Sequence, residues 1–333
     1  MLSQARNPAL SAVVALLALF LVACGQGSEE EAPAKVLARA TLDGVSSGTV
    51  DLALSAKASG RQKDNLDVTL SGPFRVKEGF PELAVAARAE GRLEGEEIDF
   101  EGGITLLEER GFLAYEGVEY EIDPNTFNIA LPALLPIAPG RGGKAPIPAV
   151  TACVEAAADV DVTGLVENPV AEGGVEVEGA STTKVSGDLD ADRAADAILA
   201  LAGDPACAAQ LAEAGLSPQD LEAVADDLTG TAKTARIEVY VGDDDIVRRM
   251  AGSIVAEPRD GDRGEVATDF ELTLGEVNEE PEIEAPAKSK PIGVWLAKIG
   301  IEGFEALSIF SEKEALARLL ELAAADAFPG LRP

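Results

Sequence analysis

From position 50 onward the chain alternates apolar and mostly polar side chains with a period of two. Val50, Leu52, Leu54 and Ala56 alternate with Asp51, Ala53, Ser55 and Lys57. Leu66, Val68 and Leu70 alternate with Asn65, Asp67 and Thr69, and Leu83, Val85, Ala87 and Ala89 follow. Ile98, Phe100, Ile104 and Leu106 stand against Glu97, Asp99 and Thr105. In an extended chain successive side chains point to opposite faces, so this pattern gives ribbons greasy on one face and wet on the other. Residues 112–122 add one or two strands around Gly117. Short turns bearing Gly, Asp or Glu join these runs, which predicts an antiparallel meander.

Residues 125–152 break the pattern with Pro132, Pro136, Pro139, Pro146 and Pro148 and the cluster Gly140, Gly142 and Gly143. A short apolar helix over 127–135 and an irregular crossing loop are expected. A second β stretch is expected over 175–186, then an Ala/Leu-rich helical region over 190–228. Asp188 or Asp190 can cap its first helix and Ser217 its last. Three strands, 235–241, 246–257 and 265–275, follow, with a tight turn at Gly242, Asp243, Asp244 and Asp245. A Pro/Glu-rich strap covers 277–291. The apolar sheet face must be buried, and covering it with these helices gives an α+β layer fold with a curved antiparallel sheet. Residues 292–333 form a separate tail. Ser311 and Glu314 can make a capping box there, and Leu316, Leu319, Leu320 and Ala323 share a helical face. The tail packs on the domain, or serves as a partner-binding or membrane-lying helix.

The N-terminus carries a different signal. Arg6 precedes an apolar run over 9–22 that is short for a bilayer span, which needs about 20 residues, but suits a secretory signal. It ends in Leu21-Val22-Ala23-Cys24-Gly25. This resembles the lipobox of bacterial lipoproteins. The resemblance implies a signal peptide over 1–23 and acyl groups on Cys24, and hence a chain held on the outer face of a cell membrane. Residues 24–34 then read as a flexible acidic tether.

Charge and composition narrow the chemistry. The chain has 27 Lys+Arg against 59 Asp+Glu, a formal charge of −32. Nucleic-acid binding depends on Lys and Arg contacts to phosphate, so it is disfavoured. There is no histidine. That removes Ser-His-Asp and Cys-His catalysis and every His-based metal site. Gly44-Val45-Ser46-Ser47-Gly48 matches a nucleophile-elbow pattern but lacks its base. Ser181-Thr182-Thr183-Lys184 falls mid-strand and lacks its companion motifs. Asp188, Asp190 and Asp192 begin like a calcium loop, but Arg193 and Leu199 occupy the positions that need Gly and Glu. No enzyme is expected, and no cofactor or metal. Besides Cys24, Cys153 and Cys207 are either bridged, in an oxidising compartment, or two buried thiols.

Several stretches resemble the LppX/LprG-type lipoproteins of the LolA-like superfamily. These are Ser71-Gly72-Pro73-Phe74 ending a strand, the aromatic strand pair over 112–123, the strand, acidic turn and strand over 235–249, and the strap over 275–291. The likeness spans about 35–291. It implies a half-barrel sheet whose concave apolar face is covered by helices, with a cavity for acyl lipids or lipoglycans. The candidate lining is then the inward set Leu52, Leu54, Leu66, Val68, Leu70, Val85, Phe100, Ile104, Phe112, Val239, Met250 and Phe270. The other reading is a structural or signalling envelope lipoprotein whose core is filled and which acts through protein contacts.

Overall fold

The computed structural model describes residues 32–42, 44–60, 63–77, 80–93, 95–123, 127, 162–205, 207–208, 218–257 and 264–298. The signal peptide, Cys24, most of the tether, the crossing loop, Cys153, Ser217 and the tail beyond Lys298 lie outside the described residues, as does the 127–135 helix except for Phe127. Among the described residues, twelve strands form a mostly antiparallel sheet accompanied by helices, the α+β class that the alternation predicts. The chain divides into two compact units, interleaved in sequence.

The first unit contains most of β1 (Ser47–Ala58), β7 (Val166–Val177), β8 (Ala180–Leu189), β9 (Ala232–Gly242), β10 (Val247–Ala256) and β11 (Val266–Gly275). Their order is β1-β11-β10-β9-β8-β7. Register lines up Ala171, Val185, Val239, Met250 and Leu272 across β7 to β11, with Ile237, Gly252 and Phe270 in the next row. Three helices supply the other half of this core: α1 (Pro33–Arg39), α2 (Ala191–Gly203) and α3 (Pro218–Thr231). Val36, Leu37, Ala194, Ala195, Ile198, Leu201, Leu221, Ala225 and Leu228 join the sheet residues in one buried cluster. The small side chains of α2 let it pack closely on α3, and Gly252 makes room for a ring. A Cβ at Gly252 would collide with Phe270. Asp190 caps α2, its carboxylate accepting from the backbone N–H of Arg193 at 3.0 Å.

One expected element is corrected. The single stretch over 175–186 is a hairpin, β7 and β8, that begins nine residues earlier at Val166. Glu178 and Gly179, both at positive φ, make its turn. β7 is an edge strand carrying Asn168 at positive φ, Pro169 and two register shifts. These features suit an edge that must resist pairing with other chains, and they erase the alternation that would reveal it.

The second unit contains β2 (Asn65–Lys77, nearly whole), β3 (Phe80–Leu93), β4 (Glu96–Leu107), β5 (Arg110–Tyr115), β6 (Val118–Ile122) and the two-residue β12 (Lys290–Pro291). Their order is β12-β6-β5-β4-β3-β2. β3 to β6 pair antiparallel, and β12 joins β6 in parallel. Helix α4 (Ile292–Lys298) follows directly and buries Ile292, Trp295 and Leu296. The strap before it is tied down at three points. Asn278 accepts from the Ser46 backbone N–H and hydroxyl at 2.9 and 3.0 Å. Arg75 donates to the Pro281 carbonyl at 3.0 Å, and Ser289 donates to Glu121 at 3.2 Å. Ile283, between the last two ties, is buried.

Candidate functional site

Strand register sorts the apolar side chains of the second unit into rows. Leu83, Leu106, Gly111 and Ile122 form one row across β3 to β6, and Val85, Ile104, Leu113 and Tyr120 form the next. Ala87, Gly102, Tyr115 and Val118 form the third, with Phe100 one step beyond on β4. All lie on one face.

Two aromatic groups close the flanking rows. Phe127 covers the first: it is fully buried with Leu106 and Ile122, and a Cβ at Gly111 would come within 2.6 Å of its ring. Trp295 of α4 covers the third, its ring 6.1 Å from Tyr115, which in turn lies 6.2 Å from Phe100. In the row between, Val85, Ile104 and Leu113 are only half-buried. On β2, Leu66 is buried and Val68 and Leu70 are half-buried, alternating with exposed Asp67, Thr69 and Ser71. The result is a strip of hydrocarbon with some surface still open, bounded by a phenyl ring and an indole.

The residues chosen from sequence therefore part into groups. Val68, Leu70, Val85, Phe100 and Ile104 are half-buried in the second unit, with Leu66 buried beside them. Val239, Met250 and Phe270 are sealed in the first unit's core, with Leu54 packed against it and Leu52 half-buried on the same strand. That core is tight. A cavity beside Leu42, Met250 and Leu272 has about 10 Å³, the room of one water at most. Phe112 belongs to neither group. It pairs with Thr105 and Glu121, which puts it on the opposite face from Ile104. It is fully buried there, with the Arg110 guanidinium 4.7 Å from its ring centre. Leu113, its neighbour, takes the place expected of Phe112. Cys207 is fully buried. Trp295, Tyr115, Leu113 and Phe127 are members that alternation alone missed.

The opposite face of the first unit is a charge lattice. Lys184 pairs with Glu238 at 2.6 Å, and Arg249 with Glu271 at 2.6 Å. Tyr240 lies between the two cations, which sit 5.7 and 5.3 Å from its ring centre, and donates to Glu238 at 2.8 Å. Burial pushes the Glu238 carboxyl up, but hydrogen bonds from Lys184 and Tyr240 and the charges of Lys184 and Arg249 outweigh it, so its pKa lies below the ordinary carboxylate value. Burial, then the bond to Glu238, pushes the Tyr240 phenol up. At the hairpin tip, Asp245 holds Arg39 at 2.7 Å and Asp244 holds Arg248 at 2.6 Å. These acids are engaged with the chain's own cations. Among the described residues, no three His, Cys, Asp or Glu side chains converge as a metal site, and no helix is long and apolar enough to cross a membrane.

No family model and no curated protein matches the chain. Among solved structures, LprF from Mycobacterium bovis is similar at 14% identity and a TM-score of 0.31, covering 74% of this chain and 91% of LprF. The lipoprotein LppX from Mycobacterium tuberculosis is similar at 12% identity and a TM-score of 0.27, covering 84% of this chain and all of LppX. With TM-scores this low, the fold rests on the strand register above, and what the chain resembles is two mycobacterial structures, LprF and the lipoprotein LppX.

Proposed function

We propose that the chain is a cell-envelope lipoprotein, anchored by acyl groups on Cys24, that takes the hydrocarbon chains of acyl lipids or lipoglycans against the half-buried strip of its second unit. It carries or presents them outside the cytoplasm and performs no catalysis. The half-burial of Val85, Ile104 and Leu113 between the rings of Phe127 and Trp295 carries this reading. Each methylene that leaves water for such a strip gains about 0.8 kcal/mol, so even part of an acyl chain supplies useful affinity. Val85, Ile104 and Leu113 give the strip an aliphatic middle, which suits a flexible chain without a fixed shape.

A second reading is an envelope lipoprotein with a filled core that works through protein contacts. The buried side chains that α1, α2 and α3 pack against the sheet of the first unit favour it. Native mass spectrometry and lipid extraction of the mature chain carrying Cys24→Ser separate the two. Co-purifying acyl lipid that is lost in Ile104→Trp, which fills the strip, is the expected result. A lipid-free chain that takes up no added phospholipid would leave the second reading standing.

A further inference from the structure

Trp295 is the chain's single tryptophan and is 3% exposed. Its indole Nε1–H is buried and has no hydrogen-bond partner among the described residues. A buried donor left unmet forfeits its hydration without return, and nearly all such groups in folded proteins have a partner. The indole N–H can only donate, so what it lacks is an acceptor.

The surroundings narrow the acceptor's chemistry. The indole packs on Tyr115, whose row adjoins Val85, Ile104 and Leu113. The cation nearby, Lys298, lies over the Tyr115 ring and is already held by Glu116 at 2.5 Å. Among the described residues, the cation over the Tyr115 ring is thus already committed to a carboxylate, whereas a neutral carbonyl needs no cation. The acyl ester of a lipid carries such a neutral carbonyl joined directly to its hydrocarbon chain.

We infer that the Trp295 Nε1–H donates to the ester carbonyl oxygen of a lipid whose acyl chain lies along Val85, Ile104 and Leu113. The inference rests on the strip being a lipid site, and it adds what the strip alone does not: a preference for ester over ether lipids. It also fixes where along the strip the chain's head end sits, next to α4.

The test compares dioctanoyl phosphatidylglycerol with its dioctyl ether counterpart, which has the same headgroup and no carbonyl. Both are titrated by calorimetry against the mature chain carrying Cys24→Ser, with and without Trp295→Phe. The phenylalanine keeps a ring against Tyr115 and removes the donor, and thermal melts verify that it folds. The expected result is about ten-fold tighter binding of the ester by the parent, one hydrogen bond's worth, and equal binding of both lipids by Trp295→Phe. Equal binding of both by the parent overturns the inference and leaves the strip as a hydrocarbon site; so does a preference that survives in Trp295→Phe. If neither lipid binds the parent, the lipid reading of the strip falls as well. The ester-to-ether ratio of the parent needs no variant, so a misfolded Trp295→Phe would not shield the inference.

Discussion

Arg75 holds the carboxylate of Glu82 at 2.6 Å while donating to the Pro281 carbonyl at 3.0 Å. Glu82 is 5% exposed and neighbours Leu83 on the strand, so it points away from the hydrocarbon strip. One guanidinium thus neutralises a buried acid and fastens the strap. Arg75→Met leaves that acid uncompensated and should cost about 3 kcal/mol. Glu82→Gln combined with Arg75→Met should recover part of the loss. Urea unfolding of the parent and the two variants checks both statements. Hydrogen exchange over 279–289 should rise in Arg75→Met if the tie holds the strap, and unchanged exchange would refute that role.

Gly252 makes room for the ring of Phe270 within the first unit's core. Gly252→Ala should destabilise by about 1–3 kcal/mol, the range for overpacked interiors. Gly252→Ala with Phe270→Leu should lose less than the two single losses added together, because the smaller side chain relieves the collision. A double-mutant cycle on denaturant midpoints measures that coupling.

Asp190 caps α2, and the helix carries five of the core's buried side chains. Asp190→Ala should cost about 1 kcal/mol, and Asp190→Asn or Asp190→Ser much less. Asp190 also faces Arg193 at 3.3 Å, an exposed pair that adds little. If Asp190→Asn lost as much as Asp190→Ala, the carboxylate's charge, and not its acceptor oxygen, would be what matters.

The Lys184–Glu238 pair sets a pH dependence with two limbs. The folded pKa of Glu238 lies below its ordinary value, so its contribution is present above the usual carboxylate range and is lost as pH falls through the folded pKa. Lys184 is raised, chiefly by its hydrogen bond to Glu238, so its contribution is complete below the ordinary lysine value and is lost as pH climbs through the folded pKa. Both side chains are partly exposed, at 21% and 36%, which screens the pair to about 1 kcal/mol or less. Lys184→Met should flatten the acid limb of a stability-versus-pH curve. An unaltered limb would show that other carboxylates govern it.

Cys207 is fully buried. A bridge from it to Cys153 would stabilise the mature chain by roughly 4 kcal/mol in the chain-entropy account. Melting with and without reductant, together with peptide mapping under non-reducing conditions, decides between a bridge and two thiols. No change in midpoint with reductant would sink the bridge.

Much of the sheet was legible because its strands alternate against water. Asp67, Thr69 and Ser71 are exposed just where Leu66, Val68 and Leu70 turn inward. The pattern fails where both neighbours are apolar. Phe112 and Leu113 are adjacent, so nothing local says which one faces the strip, and the ring's burial comes from the opposite face. β7 was hidden by the proline, glycines and bulges that protect its edge. Trp295 stood out in the sequence as a single tryptophan, but only the parallel β12–β6 pairing and the α4 turn after it bring the indole to Tyr115.

With one tryptophan, the chain also carries its own optical label, and the label belongs to the second unit alone. Excited at the red edge of its absorption, the protein emits from Trp295 and is silent about the first unit's helices, whose loss far-ultraviolet circular dichroism follows. Unfolding monitored both ways at once is a direct assay of cooperativity: superimposable curves mean that the two halves melt as one, and an emission change that leads or trails the ellipticity means that each keeps its own threshold.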